Sequence, residues 1–173
     1  MNKPLIKKLA NELLEQSRQT EPPVNLKTIA ENLLLKIELN QAGRDGPDGG
    51  LVPGQNLIKL NLDKPTRRQR FTFAHEIGHS YLFHRHRLND DDNEITGIYD
   101  TRDDDEVWHA NRVDADNAAS REREANFFAA VLLMPDAWVK AAWAKNRNAK
   151  MLADLFDVSE ETIWVRLLEL KLV

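Results

Sequence analysis

Within residues 3–19 the apolar positions fall at Leu5, Ile6, Leu9, Leu13 and Leu14. That three-and-four spacing predicts a helix with one apolar stripe and a polar opposite face. Thr20-Glu21-Pro22-Pro23 ends it, because consecutive prolines neither continue a helix nor permit one just before them. A second short helix is predicted over 26–33. Residues 34–39 (LLKIEL) suit a strand, and Gly43, Gly46, Pro47, Gly49 and Gly50 then make a turn-rich connection. Leu51-Val52-Pro53 leaves room only for an edge strand. In 57–62 (LIKLNL) the alternation places Ile58, Leu60 and Leu62 on one face, with Lys59 and Asn61 on the other. The first third of the chain therefore predicts two helices and a small sheet of about three strands.

Asp63, followed by Pro65, starts the next predicted helix, over 65–84. From 85 to 116 the periodicity stops, and eleven acidic residues face four arginines. This stretch reads as a long acidic loop. Residues 118–133 (AASREREANFFAAVLL) are helical in pattern and end at Met134-Pro135. A further helix is expected over 136–146, then two short ones over 149–157 and 159–170 about a tight turn at Val158-Ser159. The fold class is α+β, mainly helical, with the small sheet and a C-terminal helix-turn-helix-like pair. Two units are expected: a core over 1–147 carrying an acidic insertion at 85–118, and a subdomain over 148–173.

The 173 residues are 42% hydrophobic and 30% charged, an ordinary globular mixture. A net charge of −4 weighs against a whole-chain nucleic-acid footprint, which would be basic. The sequence contains no cysteine, so any metal site must use imidazole and carboxylate ligands. The first residues have no continuous apolar run with a cleavage pattern, and no segment approaches the ~18 apolar residues of a membrane span. The expectation is a cytoplasmic protein with no membrane contact.

His75-Glu76-Ile77-Gly78-His79 matches H-E-x-x-H. On a helix, positions four apart lie one turn above each other on the same face, so two imidazoles can converge on one ion. Glu76 follows the first histidine and can reach a water beside that ion without being a ligand. The flanks Phe71, Phe73, Ala74, Ile77, Tyr81, Leu82 and Phe83 are apolar nearly all round. Such a helix is buried, and buried imidazoles need partners that a metal supplies.

A catalytic zinc has three protein ligands and one open position. The best third ligands are Glu122 and Glu124. Glu122 and Asn126 are four apart and share a face, whereas Glu124 lies about 200° round the helix from it. Only one glutamate can therefore join the site. The useful arrangement puts Glu122 on the metal, Asn126 on a ligand imidazole, and Glu124 in solvent. Two histidines and a carboxylate favour Zn2+ over manganese or iron.

RFTFAHEIGHSYLFH (70–84) followed by EREANFFAAVLLMP (122–135) resembles the ImmA/IrrE family of bacterial metallopeptidases. The likeness extends to the helical N-terminus, the small sheet and the C-terminal LADLFDVSEETIWVRLLELKLV, leaving out only about 85–118. It implies a gluzincin-type zincin core that cleaves a DNA-binding repressor of the helix-turn-helix type. By the same resemblance His75 and His79 match the ligand histidines, Glu76 the catalytic acid/base, Glu122 the third ligand and Asn126 the asparagine of E-x-x-A-N. The segment between the motifs is longer and more acidic than is usual in such proteins.

Tyr81, Tyr99, Arg102 and His109 are candidate donors to an oxyanion, although Tyr81 reads better as a packing residue. His84 and His86 fall near the helix's solvated end. The acidic stretch is either a solvated excursion or a lid that recognises a basic partner. The C-terminal pair carries Glu160, Glu161 and Glu169 against Arg166, which suits packing or protein recognition better than DNA. Arg67, Arg68 and Arg70 read as a solvated helix start. The competing functions are a zinc-containing protein-binding module without turnover and a DNA-binding regulator. The oligomeric state is open.

Overall fold

A computed structural model describes residues 2–85 and 112–173. α1 (Lys3–Gln16) begins at Asn2, whose side chain accepts from the Leu5 N–H, and buries Ile6, Leu9, Leu13 and Leu14 as the stripe predicts. α2 (Leu26–Asn32) is capped in the same way by Asn25. β1 (Lys36–Asn40), β2 (Gly49–Val52) and β3 (Leu57–Asn61) form one sheet in the order β1-β3-β2. β1 runs parallel to β3 with Ile37 opposite Ile58, and β2 runs antiparallel to it with Leu51 opposite Ile58. β2 is thus an edge, short and followed by Pro53.

Two positions at the end of the predicted strand 57–62 differ from the alternation. The strand stops at Asn61, and Leu62 is exposed. Asn61 is buried instead: its Oδ1 accepts from the Ala42 and Asp63 amides, and its Nδ2 donates to the Gly43 and Pro47 carbonyls. A primary amide satisfied at both ends can be buried without penalty. Here it ties the glycine-rich connection to the sheet.

α3 (Thr66–His79) lies across β2 and β3 and continues as a π-helical segment, Ser80–Arg85. α4 is longer than the pattern predicts, Arg112–Leu133 rather than 118–133. Its first turns are polar in sequence and give no apolar period. α5 (Asp136–Lys145), α6 (Ala149–Phe156) and α7 (Glu160–Glu169) follow, with Ser159 accepting from Thr162 N–H at the start of α7. Buried residues from all seven helices and β3 join one apolar cluster that runs from Ile6 to Leu167.

α7 is fastened by a buried cation. Arg166 is 1% exposed; its Nε donates to the Met134 carbonyl at 3.1 Å, and its guanidinium bonds Glu169 and Asp136. Lys7 of α1 reaches the other oxygen of Asp136 at 2.8 Å. The arginine that a DNA reader would need on this helix is spent inside the fold. No single helix among the described residues is long and apolar enough to cross a membrane.

Candidate metal centre

α3 and α4 form the most extensive helix contact in the fold, and Gly78 explains how closely they approach. A Cβ at Gly78 would lie 3.0 Å from Phe128 Cδ1 and 3.3 Å from the Ala125 carbonyl oxygen. The H-E-x-x-H helix therefore rests directly on the backbone of α4. This contact brings Glu122, one turn before Asn126, opposite the two histidines.

Three side chains converge there. His75 Nε2 and His79 Nε2 are 2.9 Å apart, and Glu122 offers Oε2 to the first at 3.2 Å and Oε1 to the second at 3.0 Å. A tetrahedral ion with ligands at 2.0–2.1 Å needs them about 3.3 Å apart, so this set could hold a metal ion. Asn126 Oδ1 lies 3.0 Å from His75 Nδ1. An amide oxygen there accepts a hydrogen bond from Nδ1–H, which leaves the Nε2 lone pair facing His79 and Glu122.

Glu76 is not in the ligand triangle. It is 7% exposed and accepts a hydrogen bond from the Leu51 backbone on β2. Burial pushes its carboxyl above the ordinary range, against the pull of His79 and His75. Burial lowers the His75 imidazole, but the Glu122 hydrogen bond and the nearby carboxylates more than offset this, and its pKa is raised. The same two imidazoles hold Glu122 far below the usual carboxylate range.

Of these groups, His75, Glu76 and Asn126 line a cavity of about 750 Å³. α3 supplies Arg67, Phe71, Thr72, His75 and Glu76 to its lining, the start of β2 supplies Gly49, and the start of α7 with its cap supplies Ser159 to Thr162. The α7 wall is not legible in the sequence, because it arises only when the last two helices fold back over α3. The arginines of α3 hold the end of α6, just before that wall. Arg67 donates to Asp154 at 2.6 Å, and both Arg67 and Arg70 reach Asp157 at 3.7 Å.

The expectation of a solvated helix start is corrected at Arg70, whose side chain is 15% exposed and donates to the Val24 carbonyl. Glu124, expected in solvent, is buried at 7%. The face of α4 opposite Glu122 is also covered, so pointing away from the site does not mean facing water. Tyr81 is buried, its ring centroid 5.9 Å from that of Phe128, and it is not among the residues lining the cavity. Tyr99, Arg102, His109 and His86 lie outside the described residues, as does most of the acidic stretch; of the His84 side chain nothing is described.

A small sheet against a helix bearing two histidines, with a glutamate presented by the next helix, is a metallopeptidase type of arrangement. Residues 36–168 match the IrrE N-terminal-like domain of peptidase family M78, and the chain belongs to this family. A segment of 45 residues is 49% identical to the radiation response metalloprotease IrrE of Deinococcus radiodurans, covering 26% of this chain and 12% of that protein. A solved Mycobacterium tuberculosis transcriptional regulator is similar in fold, with TM-score 0.63 and 18% identity over 94% of this chain and 46% of its own. The chain thus spans under half of that regulator and a small part of IrrE.

Proposed function

We propose that this domain is a zinc-dependent endopeptidase. The observation that carries the reading is the convergence of His75, His79 and Glu122 beside a buried carboxylate, Glu76, which is not a ligand. Zn2+ fits two imidazoles and a carboxylate, and when bound it supplies Lewis acidity toward water and a peptide carbonyl. Glu76 then acts as general base: its carboxylate takes a proton from the attacking water and returns it to the leaving amine nitrogen as the C–N bond breaks. The Leu51 N–H keeps that carboxylate aimed at the cavity. Asn126 holds His75 in the tautomer that ligation requires. β2, as an edge strand at the cavity, offers backbone hydrogen bonds to an extended peptide.

The substrate we infer is a DNA-binding repressor of the helix-turn-helix type, met in the cytoplasm. Support comes from the family resemblance and from the acidic character of the cleft mouth at Glu160 and Glu161, which suits a basic protein. The domain loaded with zinc and mixed with the repressor encoded beside it should yield a discrete fragment. Glu76→Gln should retain zinc and yield none. A stable complex without fragments would instead indicate a binding module. Turnover by Glu76→Gln equal to the parent's would refute the mechanism.

A further inference from the structure

α7 carries a surface that the catalytic reading leaves unused. Its buried side is Ile163, Arg166 and Leu167. Its other side exposes Trp164 at 43%, Val165 at 63% and Leu168 at 62%. A lone exposed apolar residue needs no explanation, but a stripe along one helix face marks a contact surface. Glu161 stands four residues before Val165 and seven before Leu168, so it heads the same face. Glu161 also lines the cavity that holds His75 and Glu76. The stripe therefore runs on from the mouth of the cleft.

The charge at that mouth selects the partner. Glu160 and Glu161 have no ion-pair partner among the described residues. Arg166, the one cation of α7, is consumed by Met134, Asp136 and Glu169. An acidic and apolar helix repels a phosphate backbone, whereas it suits the apolar face of a helix flanked by lysine or arginine.

We propose that Trp164, Val165 and Leu168, headed by Glu160 and Glu161, form an exosite that docks a cationic amphipathic helix of a protein partner. Docking there places an adjoining segment of the partner in the cleft. The inference deepens the peptidase reading, and only its link to turnover rests on that reading.

The test is fluorescence anisotropy with the zinc-loaded full chain carrying Glu76→Gln, so that docking is read apart from cleavage. The probe is a labelled lysine–leucine peptide of helical periodicity. It should bind, and weaken about tenfold both in the double variant Val165→Ser/Leu168→Ser and in Glu160→Gln/Glu161→Gln. A glutamate–leucine peptide of the same pattern should not bind. Should the serine variant lose helical signal, the glutamine pair, which removes no apolar contact, carries the test alone. The exosite is overturned by equal binding of both peptides, by unchanged affinity in the variants, or by salt-sensitive binding of duplex DNA at this face. Self-association abolished by Val165→Ser/Leu168→Ser would also overturn it, assigning the stripe to a second copy. Docking by a chain whose parent cleaves no protein would leave the exosite standing and remove the peptidase reading. Cleavage of casein by the parent, with no docking, would do the reverse.

Discussion

Glu76 and Glu122 are two carboxylates that feel the same two imidazoles, yet their environments drive their pKa values apart. Glu76 is buried against β2 and its pKa rises, while Glu122 is 57% exposed at its side chain and its pKa falls. The first is suited to take up a proton and the second to stay ionised as a ligand. Glu76→Gln should lower kcat by about 10²–10⁴ with metal content unchanged, read by steady-state kinetics beside elemental analysis. The His75–Glu122 pair also sets a pH window for the metal-free protein. A raised histidine contributes stability fully below its unfolded value of 6.5, and this is lost as pH rises through the folded value. A lowered glutamate contributes above its unfolded value of 4.5, and this is lost as pH falls through the folded value. The two overlap between about pH 4.5 and 6.5. The melting temperature of metal-free protein should therefore exceed that of Glu122→Gln most within that window, and the gap should narrow above neutrality. Zinc affinity should run the other way, falling as His75 protonates. A gap independent of pH would show that the pair does not form. The four-residue spacing of His75 and His79, and of Glu122 and Asn126, made these side chains legible in the sequence, because helical phase is a local property. The Leu51 N–H on Glu76 was not legible, since a backbone donor from another element leaves no mark in side-chain identity.

Among the elements, the crossing of α3 and α4 decides whether His75, His79 and Glu122 meet, and Gly78 is its contact point. Gly78→Ala gains roughly 1 kcal/mol in helix propensity. Against that, the new methyl meets Phe128 at 3.0 Å and the Ala125 backbone, neither of which can give way, since Phe128 is fully buried. Overpacking of this kind costs about 1–3 kcal/mol, so the expected net effect is destabilisation together with weaker zinc binding as Glu122 moves away. Denaturant melts and zinc competition check the two parts separately; a more stable variant with unchanged affinity would show that the helices have room to spare. The pattern of apolar positions predicted each helix and the number of strands, because both periods are written locally. It set Asn61 on the polar face with Lys59 and put Glu124 in solvent, and both Asn61 and Glu124 are buried for a common reason. Polar residues read as outward until the surrounding structure supplies partners, as four backbone groups do for Asn61.

Across the whole molecule, two separate fasteners hold distant parts of the chain. The candidate metal centre joins α3 to α4, while Arg166 joins α7 to Met134, Asp136 and, through Asp136, to Lys7 of α1. Removing one partner of a buried ion pair costs about 3–5 kcal/mol. Asp136 and Glu169 keep 32% and 22% side-chain exposure, so the carboxylates left behind by Arg166→Ala are partly hydrated and the lower end of that range applies. A metal that binds only the folded chain stabilises it by about 2.7 kcal/mol at a hundredfold excess over Kd, which in a chain of this size is roughly 5–11 °C in Tm. The two fasteners share no side chain, so their losses should add to within about 0.5 kcal/mol. Chelation should lower the Tm of Arg166→Ala by the same free energy as it lowers the parent's. Among the described residues α4 links the two, through Glu122 at its middle and the Met134 carbonyl just past its end. A chelation effect that shrinks markedly in Arg166→Ala would mean that strain travels along α4, so that the seat of α7 and the metal ligands form one cooperative unit.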